Sequence, residues 1–308
     1  MRQFIYQFFF VIALGLTSYT SWAVDFSVNR YVSNAAYHAN SYWLESDKGI
    51  AVIDALMLRS DAKALAQLIK STGKSLEGVI ITHAHFDHYG GLNMLRETLG
   101  YFPVYATKAT VKAMKENHAA TLQWAPDSHG DDYDKVMVKP DKIVKSGQII
   151  NIAGIALKID ELGPGESGNN IVIFQADQNI LFSGDATLHN SHMYLGEGRS
   201  SKILEHLDYL GKTYGGVKLV YSGHGDPLSP AAVFKPEADY VHFIRSLAKA
   251  ALSEGKVVLP EGKGFDKEIL KTMVAEVISQ YPSLGDYGLT PEYMVNSNIE
   301  AVLKELNK

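Results

Sequence analysis

Four side chains able to bind a metal ion lie within six consecutive residues of this chain. His83, His85, Asp87 and His88 follow the β-branched run Val79-Ile80-Ile81, which is typical of a buried strand. Residues two apart in extended backbone point to the same side, so His83 and His85 are placed to hold one ion, and Asp87 and His88 face a neighbouring position. Imidazole and carboxylate are ligands of Zn²⁺ and similar divalent ions. The segment therefore predicts a metal centre rather than a chance polar loop.

Three later turns also place a polar side chain beside an apolar run. Asp185 ends one such run, His224 lies between two glycines at the end of another, and Glu166 comes just before a third. An aspartate after a strand is commonly only a turn residue, so each turn alone is a weak signal. In this order after the histidine segment, the three turns predict further ligands.

The series of motifs resembles the metallo-β-lactamase superfamily. The resemblance rests on Asn40-Ser41-Tyr42 with Asp54, on the His-x-His-x-Asp-His segment, on Ser183-Gly184-Asp185 and on Gly223-His224-Gly225, and it covers about residues 28–227. It implies an α/β fold, a four-layer α/β/β/α sandwich with two metals at one edge.

The same resemblance implies a ligand set for each metal. The first metal would bind His83 and His85, the second would bind Asp87, His88 and His224, and Asp185 would bridge the two. Asp54 would be an outer carboxylate that orients the ligands.

One turn, Gly163-Pro164-Gly165-Glu166, departs from the family pattern, which usually has a histidine at the position of Glu166. Either Glu166 is the third ligand of the first metal, since a carboxylate oxygen can take that place, or that site is weakened or empty and Glu166 is a turn residue. We expect ligation. The charges of two divalent ions, three carboxylates and a bridging hydroxide then sum to zero. Zn²⁺ is the expected ion, and the oxygen ligand also admits Mn²⁺ or Fe²⁺.

The reaction expected of this centre is hydrolysis by a metal-bound hydroxide. Asp87 is the expected proton shuttle, and Tyr194 and His192, just after the Asp185 turn, are either donors to an oxyanion or residues that pack the loop. We expect a small acyl substrate, a cyclic amide or ester, with a β-lactam as one candidate. A thioester or a phosphodiester is the alternative on the same site.

Two other classes of function are compatible with this fold, namely an iron-dependent oxidoreductase and a binding protein without catalysis. Di-iron members of the family carry a glutamate within the first motif, where this chain has His85, and a flavin domain follows. Here about 80 mostly helical residues follow Pro230. Glu166 is the single hint of lost chemistry.

The first 23 residues are typical of a cleavable secretory signal peptide. Met1-Arg2 precedes an apolar run at residues 8–16 and the small-x-small sequence Ser21-Trp22-Ala23. An uncleaved membrane anchor is the alternative, but the apolar run is short for a span. We expect a periplasmic or secreted protein that begins at Val24 and has no stable membrane insertion after cleavage.

The composition restricts the partners and the chemistry. The 308-residue chain has no cysteine and a formal net charge of −5, so disulfides, thiolate ligands and a cysteine nucleophile are excluded. An acidic chain without a basic tract argues against nucleic acid as the partner. A small-molecule substrate is expected, and the oligomeric state is left open.

Strands and helices alternate along the chain, as expected for layered α/β domains. We expect one metallo-β-lactamase domain at residues 24–229 and a helical extension at 230–308 that packs on it, covers its active-site edge or mediates dimerisation. The hairpin is predicted at 40–46 and 50–54, later strands at 79–81, 104–106, 149–152, 155–159, 171–174, 180–182 and 217–221, helices at 62–71 (capped by Ser60), 92–99, 240–253, 267–280 and 297–306, and an irregular surface excursion at 118–134.

Overall fold

The computed structural model describes residues 24–255, 257–259 and 264–308. The predicted signal peptide at 1–23 lies outside the described residues. Within those residues, no helix combines the length and the apolar character that a membrane span requires.

The first half of the chain forms a mixed sheet covered by helices. Its strands are β1 (Phe26–Val32), β2 (Asn40–Ser46), β3 (Gly49–Ile53), β4 (Leu76–Ile80), β5 (Val104–Thr107) and β6 (Lys142–Val144), and they lie side by side in chain order. β1 to β3 are antiparallel, and β3 to β6 are parallel. The helices α1 (Arg59–Ser71), α2 (Phe86–Tyr89), α3 (Leu92–Leu99) and α4 (Lys108–Thr121) lie in the connections, as parallel neighbours require a crossover.

The second sheet comes from the middle of the chain. Its strands are β7 (Ile149–Ile152), β8 (Ile155–Gly163), β9 (Asn170–Gln175), β10 (Ile180–Gly184) and β11 (Leu219–Ser222), in the spatial order β11-β10-β9-β8-β7. Only the pair β10 and β11 is parallel within this sheet, and helix α6 (Ser200–Tyr214) connects those two strands.

Apolar side chains join the two sheets and their helices into four layers. Leu44, Ile80, Ile159 and Phe182 belong to a buried cluster between the sheets. A second cluster joins the first sheet to α1, α3 and α4, and a third joins the second sheet to α6 and to the C-terminal helices α7 (Pro230–Ser253), α8 (Lys267–Gln280) and α9 (Pro291–Leu306). The predicted α/β/β/α sandwich is confirmed.

Two of the C-terminal helices begin earlier than predicted. Pro230 and Pro291 occupy the first turn of α7 and α9, where proline is favoured because an N–H there has no partner within the helix. The prediction for 267–280 is confirmed, and Asp266 caps that helix by accepting from the backbone N–H groups of Glu268 and Ile269.

Two local predictions were wrong. Residues 118–134 are not an irregular excursion, because α4 continues to Thr121 and is followed by the short helix α5 (Ala125–His129) and a 3₁₀ turn (Gly130–Asp132). Tyr133 is buried in a cluster with Met57, so this segment packs on the domain. Ser60 does not cap α1, which begins one residue earlier, and its hydroxyl donates to Asp132.

Candidate metal centre

The predicted ligands come from turns that follow strands of both sheets and meet at one edge of the sandwich. His83, His85, Asp87 and His88 follow β4, Asp185 follows β10, His224 follows β11, and Glu166 lies between β8 and β9. Because β3, β4, β10 and β11 end at the same edge, side-chain atoms of residues far apart in sequence lie within 4 Å of one another.

The first group contains His83, His85, Glu166 and Asp185. One donor atom from each of these residues lies within 4.8 Å of every other. His83 Nε2 is 3.7 Å from Glu166 Oε2 and 3.7 Å from Asp185 Oδ2, and His85 Nδ1 is 2.9 Å from Glu166 Oε1. Glu166 thus occupies the place in which a third ligand was predicted.

The second group contains Asp87, His88 and His224. His224 Nε2 lies 3.3 Å from Asp87 Oδ2 and 3.3 Å from Asp185 Oδ2, and His88 Nε2 lies 3.5 Å and 3.4 Å from the same two oxygens. The carboxylate of Asp185 therefore faces both groups, as a bridging ligand would.

Unpaired buried atoms at this edge fit a pair of cations. Among the described residues, His83 Nε2, His88 Nε2, Glu166 Oε2 and Asp185 Oδ1 are buried without a hydrogen-bond partner. A buried polar atom without a partner costs about 1–3 kcal/mol, so several in one place are atoms that a bound cation would satisfy. Carboxylate oxygens and neutral imidazole nitrogens are donors that divalent ions accept.

The buried charges also shift one another's pKa. Burial raises the pKa of Glu166 to about 7. Burial alone would also raise the pKa of Asp185, but the charges of His88 and His224 hold it well below its ordinary value. Burial alone would lower the pKa of His88, and the charge of Asp185 raises it well above its ordinary value instead. Cations that bind here would displace protons from these imidazoles.

A second layer of hydrogen bonds orients two of the histidines. Asp54, in the left-handed backbone region at φ 60°, accepts from the Thr82 backbone N–H at 2.8 Å and from the Thr82 hydroxyl at 2.7 Å. His88 Nδ1 lies 2.9 Å from the same carboxylate, and His83 Nδ1 lies 3.0 Å from the Thr82 hydroxyl oxygen. Both Nδ1 atoms then carry the proton, so both Nε2 atoms keep a lone pair for a metal.

The structure separates the two residues predicted after the Asp185 turn. Tyr194 lines the cavity at the metal centre, and its ring centroid lies 5.7 Å from that of His85. His192 is buried with Nδ1 3.1 Å from the Tyr240 hydroxyl, and it is not one of the described residues that line the cavity. The position of His192 fits a residue that packs the loop, and it does not fit a donor to an oxyanion in the cavity.

A cavity of about 330 Å³ lies beside both ligand groups. Besides the ligands and Tyr194, eight aromatic and apolar side chains line it. Sequence reasoning missed all of them, and the aromatic content of the C-terminal helices was the one signal available. They are Tyr37, Phe86, Trp124, Leu188, Tyr287, Leu289, Tyr293 and Met294.

Similarity to known proteins agrees with this geometry. A family model of the metallo-beta-lactamase superfamily matches residues 35–224. The chain belongs to this superfamily. It is 24% identical over 236 residues to metallo-beta-lactamase IND-1 of Chryseobacterium indologenes, which covers 71% of this chain and 90% of that protein. It is 27% identical over 180 residues to the human acyl-coenzyme A thioesterase MBLAC2, covering 53% and 61%.

Solved structures show the same fold. A beta-lactamase domain protein from Burkholderia ambifaria superposes with a TM-score of 0.66 at 16% identity, covering 93% of this chain and 87% of that one. The prediction that this chain is a metallo-hydrolase is confirmed by the superfamily match and by the hydrolases among its relatives.

One aromatic residue of the cavity gives a first prediction. Tyr287 is buried, its ring centroid is 4.5 Å from that of His224, and its hydroxyl has no hydrogen-bond partner within the described chain. Tyr287→Phe is therefore expected to change the free energy of unfolding of the metal-free protein by less than about 0.5 kcal/mol, because no hydrogen bond is lost. Urea denaturation measures this.

The matched control is Tyr214→Phe. The hydroxyl of Tyr214, which is also buried, donates to Asp160 Oδ2 at 2.9 Å, so this variant is expected to lose about 1–2 kcal/mol. An equal loss in the two variants would mean that the Tyr287 hydroxyl is hydrogen-bonded.

Proposed function

We propose that this metallo-hydrolase is exported, binds two divalent ions, with Zn²⁺ first, and cleaves a small acyl substrate, a cyclic amide or ester. The observation that carries the proposal is the convergence of two ligand groups on Asp185, with unpaired buried atoms, beside a cavity. Ions bound there polarise a scissile carbonyl and activate water. Export rests on the sequence of residues 1–23.

The ligand assignment follows the two groups. His83, His85 and Glu166 would hold the first ion, Asp87, His88 and His224 the second, and Asp185 both. We choose Zn²⁺ because it binds well to sites rich in imidazole. Mn²⁺ and Fe²⁺ are the alternatives because three of the ligands are carboxylates.

Asp87 is the residue we propose to move a proton. It lines the cavity, and its Oδ2 lies 3.3 Å from His224 Nε2. Burial alone would raise its pKa, but the charge of His88 and the bond to His224 hold that pKa well below its ordinary value. As an ionised carboxylate at the cavity, Asp87 is placed to accept a proton from water and pass it to the leaving group.

Tyr194 is the proposed donor to the oxygen that gains negative charge. Its side chain lines the same cavity, and burial together with the charge of Glu166 raises its pKa. The phenol consequently keeps its proton at neutral pH. A neutral hydroxyl beside the reacting carbonyl stabilises the developing charge by a hydrogen bond.

Two substrate types within this proposal are supported by particular relatives. β-Lactam cleavage is supported by the likeness to IND-1 and to the metallo-beta-lactamase type 2 of Bacillus cereus, which is 26% identical over 200 residues and covers 64% of this chain and 70% of that protein. Thioester cleavage is supported by the likeness to MBLAC2.

The test is a hydrolysis screen of metal-loaded protein against a β-lactam, a lactone, a thioester and an aryl phosphodiester. Metal analysis of the purified protein accompanies it. Two equivalents of zinc and cleavage of an acyl substrate are the expected result. Iron with oxidase activity, or protein that neither binds metal nor cleaves any of the four, would contradict the proposal.

Glu166 has its own test, which separates ligand from turn residue. Glu166→Gln is expected to lower the affinity for one metal ion at least about tenfold, because a charged oxygen is lost from the first group. The affinity for the ion held by Asp87, His88 and His224 is expected to change less. Equilibrium dialysis against Zn²⁺ measures both. Glu161→Gln, on strand β8 before the Glu166 turn and in neither ligand group, is the control. Unchanged affinity at both sites in Glu166→Gln would make Glu166 a turn residue.

A further inference from the structure

The cavity beside the metal centre has walls that are aromatic and apolar. We infer that it selects an uncharged substrate with a benzyl-sized apolar group next to the scissile bond, and that it disfavours substrates with a carboxylate on that group. The inference rests on the proposed function and names the substrate class for that same site.

One wall is a row of aromatic rings in edge contact. The ring centroids of Tyr37 and Phe86 are 5.4 Å apart with an interplanar angle of 63°, and those of Phe86 and Trp124 are 5.3 Å apart at 75°. Such edge-to-face contacts hold each ring in place. Phe86 lines the same cavity as His85 and Asp87, so this wall lies beside the metal centre.

The C-terminal region supplies more of the lining. Tyr287 and Met294 are buried, Leu289 is half-buried, and Tyr293 is 66% exposed at the cavity. The cavity volume of about 330 Å³ lies at the small end of ligand sites. A single ring or a short branched chain fits such a space, with its apolar surface removed from water.

The charges at the cavity give the second half of the inference. Its ionisable lining consists of Asp87, Glu166, Asp185, His85, His224 and tyrosines, and no lysine or arginine of the described chain belongs to it. The guanidinium of Arg199 is engaged elsewhere, with the carbonyl oxygen of Ser167 at 3.1 Å and Glu197 Oε2 at 3.0 Å.

A substrate carboxylate would therefore enter this cavity without a side-chain cation to pair with it. The three carboxylates of the lining already neutralise most of the charge that two divalent ions bring. Burial of an unpaired anion is strongly unfavourable, whereas a neutral ring gains from burial in the same place. Neutral esters are consequently preferred over esters that carry a carboxylate on the apolar group.

The experiment compares two matched esters with metal-loaded protein, para-nitrophenyl phenylacetate and para-nitrophenyl 4-carboxyphenylacetate. We expect kcat/KM to be at least about a hundredfold higher for the neutral ester, a margin set by the unpaired charge rather than by size. Equal values, or a preference for the carboxylate, would overturn the inference and leave the proposed hydrolysis intact.

A change of charge at the cavity sharpens the comparison. Tyr293→Lys places a cation at the rim, so the preference for the neutral ester is expected to fall about tenfold. Tyr101→Lys is the matched control, because Tyr101 is also exposed, at 73% against 66% for Tyr293, and is not among the described lining residues. The same fall in both variants would contradict selection by the cavity.

Binding distinguishes failure of the inference from failure of the proposed function. Titration of the metal-loaded protein with phenylacetamide and with 4-carboxyphenylacetamide, followed by tryptophan fluorescence through Trp124, is expected to give at least tenfold tighter binding of the neutral amide. Tighter binding of the neutral amide without any ester cleavage would support the selectivity of the cavity and contradict the proposed hydrolysis. Tighter binding of the charged amide would overturn the inference.

Discussion

Asp185→Asn is expected to lower kcat/KM at least about a thousandfold, a loss of ~4 kcal/mol of transition-state stabilisation. Asp185 is the carboxylate that faces both ligand groups, with Oδ2 3.7 Å from His83 Nε2 and 3.3 Å from His224 Nε2. The neutral amide removes one negative charge from between the two cations proposed to bind here, which would weaken both sites at once. Steady-state kinetics on the best substrate of the hydrolysis screen measures the loss, and metal analysis is expected to find fewer than two equivalents.

The control for this variant is Asp208→Asn. The Asp208 side chain is exposed on α6 and pairs with Lys212, so the same chemical change is made away from the centre, and full activity with two metal equivalents is expected. An Asp185→Asn protein that keeps both metals and loses less than tenfold in kcat/KM would remove Asp185 from the bridging role.

The candidate ligand segment is recognisable in the sequence because it is local. Within ten residues, the sequence contains both the candidate ligands, His83, His85, Asp87 and His88, and the β-branched strand that supports them. The bridging role expected of the distant Asp185 rested on the family resemblance, since an aspartate after a strand has many ordinary uses. What the sequence could not supply is the spacing of a few ångströms between the two groups, which depends on how the two sheets pack.

The cavity walls were not predictable, because no local pattern marks them. Trp124 lies in a segment whose polar and glycine residues indicated an irregular loop, yet its ring packs edge-on against Phe86. Met294 reaches the cavity only because α9 packs on α7 and α8. His192 was a candidate because it is close to Asp185 in the sequence, but its side chain packs against Tyr240. Closeness in sequence does not fix the side of a loop on which a side chain lies.

The element boundaries show which sequence signals decide. Strands rich in isoleucine and valine were predicted within a few residues, because alternating or continuous apolar runs have few other uses. Helix starts were less well predicted at α7 and α9, which begin at Pro230 and Pro291, because proline is favoured in the first turn of a helix and the apolar pattern begins later.

Gly223→Ala is the second change with a large expected effect. A Cβ at Gly223 would lie 1.9 Å from Asp185 Oδ1 and 2.8 Å from His88 Cε1, closer than any carbon contact permits. The backbone cannot retreat, because the Gly223 N–H donates to the Gly184 carbonyl at 2.9 Å and the Gly223 carbonyl accepts from the Asn40 N–H at 2.7 Å. The methyl group must therefore displace Asp185 and His88.

We expect Gly223→Ala to lower kcat/KM at least about a hundredfold and to lose metal, with an overpacking cost of about 1–3 kcal/mol in the free energy of unfolding. Metal analysis and urea denaturation with and without Zn²⁺ separate the two effects. The control is Gly216→Ala, where a Cβ would meet no described atom within 4 Å, so metal content and stability should match the parent. A Gly223→Ala protein with two tightly bound metals would show that the Asp185 carboxylate does not rest against this turn, because the space for a methyl group exists only if that carboxylate lies elsewhere.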